Sequence, residues 1–327
     1  MKSFQDLIAD FMESMRLKNM SPSTICSYRD SAVKFIKFIE TGKINDLREV
    51  TKEALQNYQS YLQKERETKP HFSLETIHVR LRGLKRFFEF LQETHQILYN
   101  PTDVIVFPKL GQRLPKDILT RDEVNRILLR PDINTPDGIR DRALLETLYS
   151  TGIRLSECAH LEIGDVDYQG GYLRVNQGKG AKDRMAPLGK IASQWLQRYI
   201  QEVRPELLKQ QPDGLANKVL WISHLGKRLS IQLIIILVRN YGQKAGIKKR
   251  VTVHTWRRTL ATHLLQAGVN PIYIQEILGH ERTSSLNRYI KIAAIEIKQT
   301  HQKTHPRERV TTDDRREQIE KSRFDRP

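Results

Sequence analysis

The stretch LGHERTSSLNRYIKI, residues 278–292, contains two side chains that could carry out chemistry on a phosphate. His280 directly follows a glycine, and Tyr289 lies nine residues further on, just ahead of apolar residues. A tyrosine in this position is either a buried aromatic of a helix or a nucleophile that attacks a phosphodiester. The spacing alone does not decide between these two roles, so the rest of the chain has to.

A second pair of polar residues, His254 and Arg257, lies in VTVHTWRRTLATHLLQAG. They are three residues apart at the start of a predicted helix, so they share one face of it. The free N–H groups and the dipole of a helix N-terminus favour a phosphate at that end. His263 is interpreted as structural or as a polar surface residue. The chain has no HExxH pattern, so it gives no indication of a zinc site.

Two weaker signals lie between these pairs and the middle of the chain. Arg154 and Glu157 follow a helix that is predicted to stop at Gly152, and a short helix restarting there would direct both side chains at one site. Pairs at this spacing are more often surface ion pairs. Lys179 lies between glycines at the tip of a predicted hairpin, NQGKGAKDR, which is usually a solvated turn. Lys182 competes with it for any role.

The charge of the chain favours a polyanionic partner. The net charge is +17, and residues 1–107 hold 16 Lys and Arg against 14 Asp and Glu, so most of the excess follows residue 107. Excess positive charge of this size favours nucleic acid. No apolar run approaches the roughly 20 residues that cross a bilayer, and two cysteines form no disulfide framework. We therefore expect a cytoplasmic, nucleoid-associated protein that binds no membrane.

The first hundred residues have the apolar periodicity of helices. Apolar side chains recur three and four residues apart in SFQDLIADFMESMRL, SPSTICSYRDSAVKFIKFIE, TKEALQNYQSYLQKE and LETIHVRLRGLKRFFEFLQE. The last stretch leaves a basic face, which consists of His78, Arg82, Lys85 and Arg86. Such a face is usually just solvated, but it could also follow a phosphate backbone or enter a groove.

The chain as a whole is predicted to be an α+β protein that is mainly helical. An all-α domain over 1–107 is followed by a proline-containing linker over 108–116. A mixed helical domain with a small antiparallel sheet follows over 117–310, and a polar tail over 311–327. Within the second domain, helices are predicted from Thr120, up to Gly152, around 189–203 and around 230–244, with the hairpin at 171–189.

The ordered set Arg154, Lys179, His254–x–x–Arg257, His280 and Tyr289 resembles the catalytic set of the tyrosine recombinase family, the phage integrases and Xer-type recombinases. The amino-acid sequence closely resembles motifs of that family in TGIRLSE, GKGAKDRMAPLG, HTWRRTLATHLLQAG and IQEILGHERTSS. The N-terminal stretches SPSTICSYRDSAVKFIKFI and RLRGLKRFFEFL resemble that family's helical, SAM-like core-binding domain. The resemblance covers nearly the whole chain and depends on the ordered set, not on any single motif.

The resemblance implies an enzyme that cuts and rejoins DNA through a 3′-phosphotyrosine. Arg154 and Arg257 would bind the non-bridging oxygens of the phosphate, and the Tyr289 oxygen would attack phosphorus. Lys179 would protonate the leaving 5′ oxygen, and His254 would act as an acid or base near the tyrosine. No metal or other cofactor is implied, because the cationic side chains supply the electrostatics that Mg²⁺ provides elsewhere.

The same resemblance implies supporting residues and partners. His280 would donate a hydrogen bond to the phosphate, and Glu157 would orient its neighbours. Lys182 and Arg258 would join the basic face of residues 78–86 in contacting double-stranded DNA. Recombination needs four strand cuts, which implies a homotetramer on two paired DNA sites, alone or together with a related recombinase.

The sequence is also compatible with other functions. A type IB topoisomerase or a telomere resolvase uses a similar catalytic set, and a DNA-binding protein could keep the fold without activity. Among recombinases, integration and excision of a mobile element and resolution of a replicon share one chemistry. The target sequence depends on groove contacts and DNA deformability that the sequence does not reveal.

Overall fold

The computed structural model describes residues 2–68, 72–109, 117–176, 183–209 and 218–279. The chain divides into two compact units, Met1–Gln112 and Arg113–Pro327. Each unit has a hydrophobic core of its own. No helix in these described ranges is long and apolar enough to span a membrane.

The first unit is a bundle of helices: α1 Phe4–Leu17, α2 Pro22–Thr41, α3 Lys52–Thr68 and α4 Leu74–Glu93. Ser3, Ser21 and Ser73 begin three of them, because each hydroxyl accepts a hydrogen bond from a backbone N–H of the first turn. The helices bury their apolar stripes against one another. Aromatic rings fill much of this core, with Phe35 packed edge-on against Phe88 and Tyr58.

The second unit begins with three helices, α5 Arg121–Leu128, α6 Pro136–Thr151 and α7 Leu155–His160. Thr120 and Glu123 form a capping box at the start of α5, as the sequence predicts. The helix α6 ends at Gly152, also as predicted, and this glycine adopts the left-handed conformation. The restart after it comes one residue earlier than Ser156, with Arg154 as the N-cap of α7.

A small antiparallel sheet follows α7: β1 Val166–Asp167, β2 Tyr172–Val175 and β3 Arg184–Pro187, in the order β1-β2-β3. The hairpin predicted over 171–189 is confirmed, since Val175 pairs with Arg184 and Tyr172 with Pro187. Lys179 and Lys182 lie in the segment 177–182, outside the described residues. The first strand is an addition that the sequence did not reveal, because two residues carry too short a pattern.

Six helical segments complete the described part: α8 Lys190–Arg198, a π-helical turn Tyr199–Val203, α9 Arg204–Leu208, α10 Ile231–Lys244, α11 Val253–Gln266 and α12 Pro271–Leu278. The helix predicted around 230–244 is confirmed as α10. The helix predicted around 189–203 changes its hydrogen-bond pattern at Tyr199. Pro205 follows shortly afterwards and has no N–H with which to continue a regular α-helix.

The helix α11 is fixed deep in the second unit. Trp256 is fully buried, and Thr259 accepts a hydrogen bond from the backbone N–H of Leu119 at 3.1 Å. His263 is buried, 2.8 Å from the Tyr149 hydroxyl and 3.0 Å from the Leu119 carbonyl. The interpretation of His263 as structural is confirmed. A rigid α11 gives the residues at its N-terminus fixed positions.

Candidate active site at the end of α12

Arg257 links the ends of two helices with one buried guanidinium group. It lies on the second turn of α11, which Thr252 and Thr255 begin as a capping box. Its Nη1 donates to the Gly152 carbonyl at 2.6 Å, and its Nη2 donates to the Leu278 carbonyl at 2.5 Å. The carbonyls at the ends of α6 and α12, which have no hydrogen-bond partner within their own helices, therefore bind the same cation.

Gly152 is required where these elements meet. Its φ is +59°, and a Cβ atom there would lie 2.7 Å from Leu278 Cδ2 and 3.0 Å from Leu260 Cδ2. A side chain there would therefore be strained by the backbone angle, and the ends of the Leu278 and Leu260 side chains would have to shift to admit it. Its conformation and its packing both favour glycine.

Arg154 reaches the same place from the N-cap of α7. Its Nη2 donates to the Gly279 carbonyl at 2.6 Å, and its Nη1 donates to Glu157 Oε1 at 2.6 Å. Because Leu278 and Gly279 are consecutive, the guanidinium groups of Arg154 and Arg257 meet at neighbouring carbonyls. The Arg154 side chain is 37% exposed, so this pair of cations is open to solvent on one side.

A third arginine, which no sequence pattern indicated, completes this cluster. Arg184, the first residue of β3, donates to Glu157 from both ends of its fork, at 3.0 and 2.8 Å, and to the Ile277 carbonyl at 3.2 Å. Its side chain is only 9% exposed. The sequence feature that could have indicated Arg184 is a long charged side chain on a strand at the base of a glycine-containing hairpin. This feature is too common in proteins to identify a site residue.

Glu157 is the acidic centre of this cluster. Burial by itself raises the pKa of a carboxyl group, but Arg184 and the backbone N–H and guanidinium of Arg154 lower the pKa of Glu157 to about 2. The side chain is 7% exposed and fully ionised at neutral pH. The one negative charge therefore keeps two arginines in fixed orientations.

His254 faces the same group of cations from the first turn of α11. The pKa of His254 is lowered below its ordinary value of 6.5, mainly by partial desolvation. The positive charges of Arg258, Arg257 and Arg154 lower it further. The imidazole is therefore neutral near pH 7 and can accept a proton. It lies at the surface, where a substrate can reach it.

Four of the site residues predicted from the sequence thus lie together: Arg154, Glu157, His254 and Arg257. Arg258 lies close enough to His254 to affect its pKa. His280 and Tyr289 lie outside the described residues, as Lys179 and Lys182 do. Gly279, which the structure describes, immediately precedes His280 and is held by Arg154.

The basic face of α4 belongs to the first unit and is less uniform than its sequence indicates. His78 is half-buried, with its Nε2 at 2.6 Å from the Pro108 carbonyl and its ring against Phe107. Arg86 donates to Glu89 at 2.9 Å. Arg82 is exposed, and no ion pair to it or to Lys85 occurs among the described residues. The positive charge of the basic face of α4 that is not paired with an acidic side chain among the described residues therefore lies on Arg82 and Lys85.

The described ranges contain no group of three or more His, Cys, Asp or Glu side chains that could hold a metal ion. The functional groups of the described site are instead guanidinium and imidazole groups around one carboxylate. Such a set suits an anionic ligand, and its converging arginine forks match the geometry of phosphate oxygens.

Comparison with known families agrees with this site. The model described as Phage integrase family matches residues 117–295, and the model for Phage integrase, N-terminal SAM-like domain matches residues 7–97. The first match covers more than half of the 327 residues. The chain belongs to the phage integrase family. The family and the fold class predicted from the sequence are therefore confirmed.

Within the phage integrase family, this chain is similar to Xer recombinases over most of its length. It is 37% identical to tyrosine recombinase XerC 2 of Ralstonia nicotianae, over 90% of this chain and 84% of the relative. It is 33% identical to XerD of Staphylococcus aureus, over 93% and 99%. A crystal structure of XerH bound to palindromic difH substrate, a post-cleavage complex, shares the fold, with a TM-score of 0.68, 20% identity and coverage of 87% and 81%. The chain is a Xer-like tyrosine recombinase, an enzyme of site-specific recombination.

Proposed function

We propose that this recombinase cuts and rejoins double-stranded DNA at a specific site through a 3′-phosphotyrosine at Tyr289, without metal or ATP. The observation that carries the proposal is the meeting of Arg154 and Arg257 at the Leu278 and Gly279 carbonyls. Two forked cations side by side, one of them partly open to solvent, suit the two non-bridging oxygens of a phosphodiester.

The cleavage step is an in-line exchange at phosphorus. The Tyr289 oxygen forms a bond to phosphorus while the bond to the 5′ oxygen of the next nucleotide breaks. Neutral His254 receives the phenolic proton, and Lys179 gives a proton to the leaving 5′ oxygen, with Lys182 as the competing candidate. Arg154 and Arg257 stabilise the charge that develops on the equatorial oxygens.

Rejoining reverses the same step with a new partner. The 5′-hydroxyl of another strand attacks the phosphotyrosine, the Tyr289 oxygen leaves, and the phosphodiester forms without net loss of bond energy. His280 donates a hydrogen bond to the phosphate, and Glu157 keeps Arg154 oriented. Full recombination exchanges four strands, which calls for a homotetramer on two paired sites, alone or with a related recombinase.

Binding to DNA relies on the excess of positive charge. The chain carries +17, and Arg82 and Lys85 on α4 and Arg258 on α11 supply cations for the phosphate backbone. Such contacts fix the protein on a duplex, while base contacts choose the site. We propose integration and excision of a mobile element, or resolution of a replicon, as the biological role.

The test starts with the cognate DNA. Fragments of the genome that encodes the protein are bound to the wild-type protein, and footprinting defines the protected sequence, called here the selected duplex. A set of selected duplexes nicked at successive positions then traps the cleaved state, because the short 5′-hydroxyl strand diffuses away. The wild-type protein should form a covalent protein–DNA adduct on one of them, also in the presence of a metal chelator.

Replacement of the nucleophile gives the decisive comparison. Tyr289→Phe should bind the selected duplex as tightly as the wild type and form no adduct. Tyr273→Phe, which alters an exposed tyrosine of α12, should form the adduct at the wild-type rate. An adduct that persists in Tyr289→Phe would refute the nucleophile. Relaxation of supercoiled plasmids without the selected sequence would indicate a topoisomerase instead.

A further inference from the structure

Three consecutive backbone carbonyls at the end of α12 accept hydrogen bonds from three arginines on three different elements. Arg184 of β3 donates to Ile277 at 3.2 Å, Arg257 of α11 donates to Leu278 at 2.5 Å, and Arg154 at the start of α7 donates to Gly279 at 2.6 Å. The last carbonyls of a helix have no partner within the helix and carry partial negative charge. The three cations together therefore fix the point where the chain leaves α12.

Arg184 differs from the other two arginines in its burial and in its pairing. Its fork meets both oxygens of Glu157, and only 9% of its side chain is exposed. A buried charge is tolerated only when it is paired and hydrogen-bonded. Arg184 has this pairing, and little of it is accessible to a ligand, so its role is not to bind phosphate directly.

The place of Arg184 in the chain gives it a second connection. It pairs with Val175 across β2 and β3 and so closes the base of the hairpin whose segment 177–182 contains Lys179 and Lys182. One side chain thus joins that hairpin to Glu157 and to the end of α12. Lys179 belongs to the segment between β2 and β3, and His280 is the next residue after Gly279; both are proposed to act on the same phosphate.

We propose that Arg184 is a positioning residue of the recombination reaction. It ties the end of α12 and the base of the β2–β3 hairpin to the buried carboxylate of Glu157, which also orients Arg154. Arg184 thereby holds the described residues next to the segments that carry Lys179, His280 and Tyr289, so its loss should slow a step that needs all three. This inference rests on the proposed phosphotyrosine chemistry and assigns to it a residue that does not touch the substrate.

The test variant is Arg184→Lys, which keeps the positive charge but cannot hold both Glu157 oxygens and a carbonyl in one planar fork. Arg142→Lys is the matched control. Arg142 is also partly buried, with 14% of its side chain exposed, and donates to a glutamate, Glu146, at 2.9 Å and to the Leu128 carbonyl at the end of α5 at 2.6 Å. It therefore loses the same kind of contacts away from the site.

Single-turnover cleavage of the nicked selected duplex is the main readout. Arg184→Lys should slow adduct formation by roughly 10- to 100-fold, because small misplacements of reacting groups cost about two orders of magnitude. Its affinity for the duplex should stay within about threefold of the wild type, as expected when an interaction acts on the chemical step. Arg142→Lys should cleave at the wild-type rate, while urea denaturation shows a comparable loss of stability in both variants.

A double-mutant cycle separates positioning from general damage. If Arg184 acts through Glu157, the rate of the Arg184→Lys, Glu157→Gln double variant should equal that of the slower single variant. The proposal would be overturned if the rate reductions of the two single variants multiplied in the double variant, or if Arg184→Lys cleaved at the wild-type rate. Loss of activity in Arg142→Lys equal to that in Arg184→Lys would also overturn it, by making the effect one of stability.

The outcomes for the two proposals are distinguishable. If the wild-type protein forms no adduct on any nicked duplex, or if Tyr289→Phe still forms one, the phosphotyrosine chemistry itself fails. If the wild type and Tyr289→Phe behave as proposed and Arg184→Lys cleaves normally, only the role of Arg184 fails.

Discussion

At the scale of single residues, burial decides what each charged side chain of the site contributes. Glu157 is buried against Arg184 and its pKa lies far below the usual range of a carboxyl group, whereas Arg154 on its other side remains partly exposed. An exposed pair at this spacing would contribute little to stability. Here each oxygen of Glu157 accepts two hydrogen bonds, one from each arginine. The carboxylate therefore contributes to both stability and orientation.

Glu157→Gln should change how the stability of the protein depends on pH. The folded-state pKa of about 2 lies below the unfolded value of 4.5, so Glu157 stabilises the folded state above pH 4.5 and loses this effect as the pH falls. The difference in unfolding free energy between the wild type and Glu157→Gln should shrink by about 2 kcal/mol between about pH 6 and about pH 3. Urea titrations at several pH values measure it, and a difference that does not vary with pH contradicts the prediction.

His254 should determine the acidic limb of the pH–rate profile of cleavage. Its pKa is lowered below 6.5 by partial desolvation and by three guanidinium groups, so the neutral base is present at neutral pH and is lost on acidification. At subsaturating selected duplex, adduct formation should fall as the pH drops through a value below 6.5. His254→Gln should be slower and should lose this limb. A midpoint above 6.5, or the same limb in the variant, would assign it to another group.

At the scale of elements, the site is built from helix ends. The carbonyls at the end of α6 and at the end of α12, together with the first turns of α7 and α11, surround the arginines. Helix ends supply unpaired carbonyls for cations and unpaired N–H groups for anions. The mutual packing of these ends therefore determines whether the cations converge.

Gly152→Ala should disturb this packing beyond the strain of its backbone angle. Gly246→Ala is the matched control, because Gly246 has φ +69° but no atom within 4 Å of a Cβ, whereas Gly152 has φ +59° and would meet Leu278 and Leu260. Gly246→Ala should cost about 1 kcal/mol, and Gly152→Ala should cost roughly 1–3 kcal/mol more. Urea denaturation gives both values, and Gly152→Ala should also slow adduct formation. Equal losses of unfolding free energy in the two variants would show that contact with Leu278 and Leu260 does not contribute to the cost of Gly152→Ala.

At the scale of the whole molecule, the excess of positive charge should govern affinity for DNA. With a net charge of +17, we expect the association constant for the selected duplex to fall steeply with salt. If about six or more phosphates are neutralised, the fall should be about a thousandfold or greater between roughly 50 and 200 mM salt. Mobility-shift titrations at several salt concentrations measure the slope. A flat response would contradict binding through the phosphate backbone.

Two variants of α4 refine the same measurement. Arg82→Gln should reduce the slope of log K against log salt by about one, because this exposed cation would lose one phosphate contact. Arg86→Gln should change it less, since Glu89 and Glu93 at 2.9 and 3.6 Å already neutralise that arginine. Equal slopes in Arg82→Gln and the wild type would remove Arg82 from the interface.

Much of the architecture was predictable because its signals are local. The α5 capping box, the stop at Gly152, the α10 helix and the β2–β3 hairpin all depend on residues within a few positions of each other. The shared face of His254 and Arg257 follows from helical geometry alone. The ordered polar residues also indicated the family correctly, because their types and order form one specific combination.

The charges that act together are brought into contact by long-range packing. Arg154 reaches Gly279 across 125 positions, and Arg184 reaches Ile277 across 93, and no local pattern encodes either contact. The sequence indicated Glu157 only as a supporting residue, and folding made it the shared partner of two arginines by burying it. Local sequence signals thus predict most of the helices, the β2–β3 hairpin and the types of polar groups available, but not the two-residue strand β1. Their convergence at the end of α12 was decided by long-range packing, because burial and pairing depend on which elements meet.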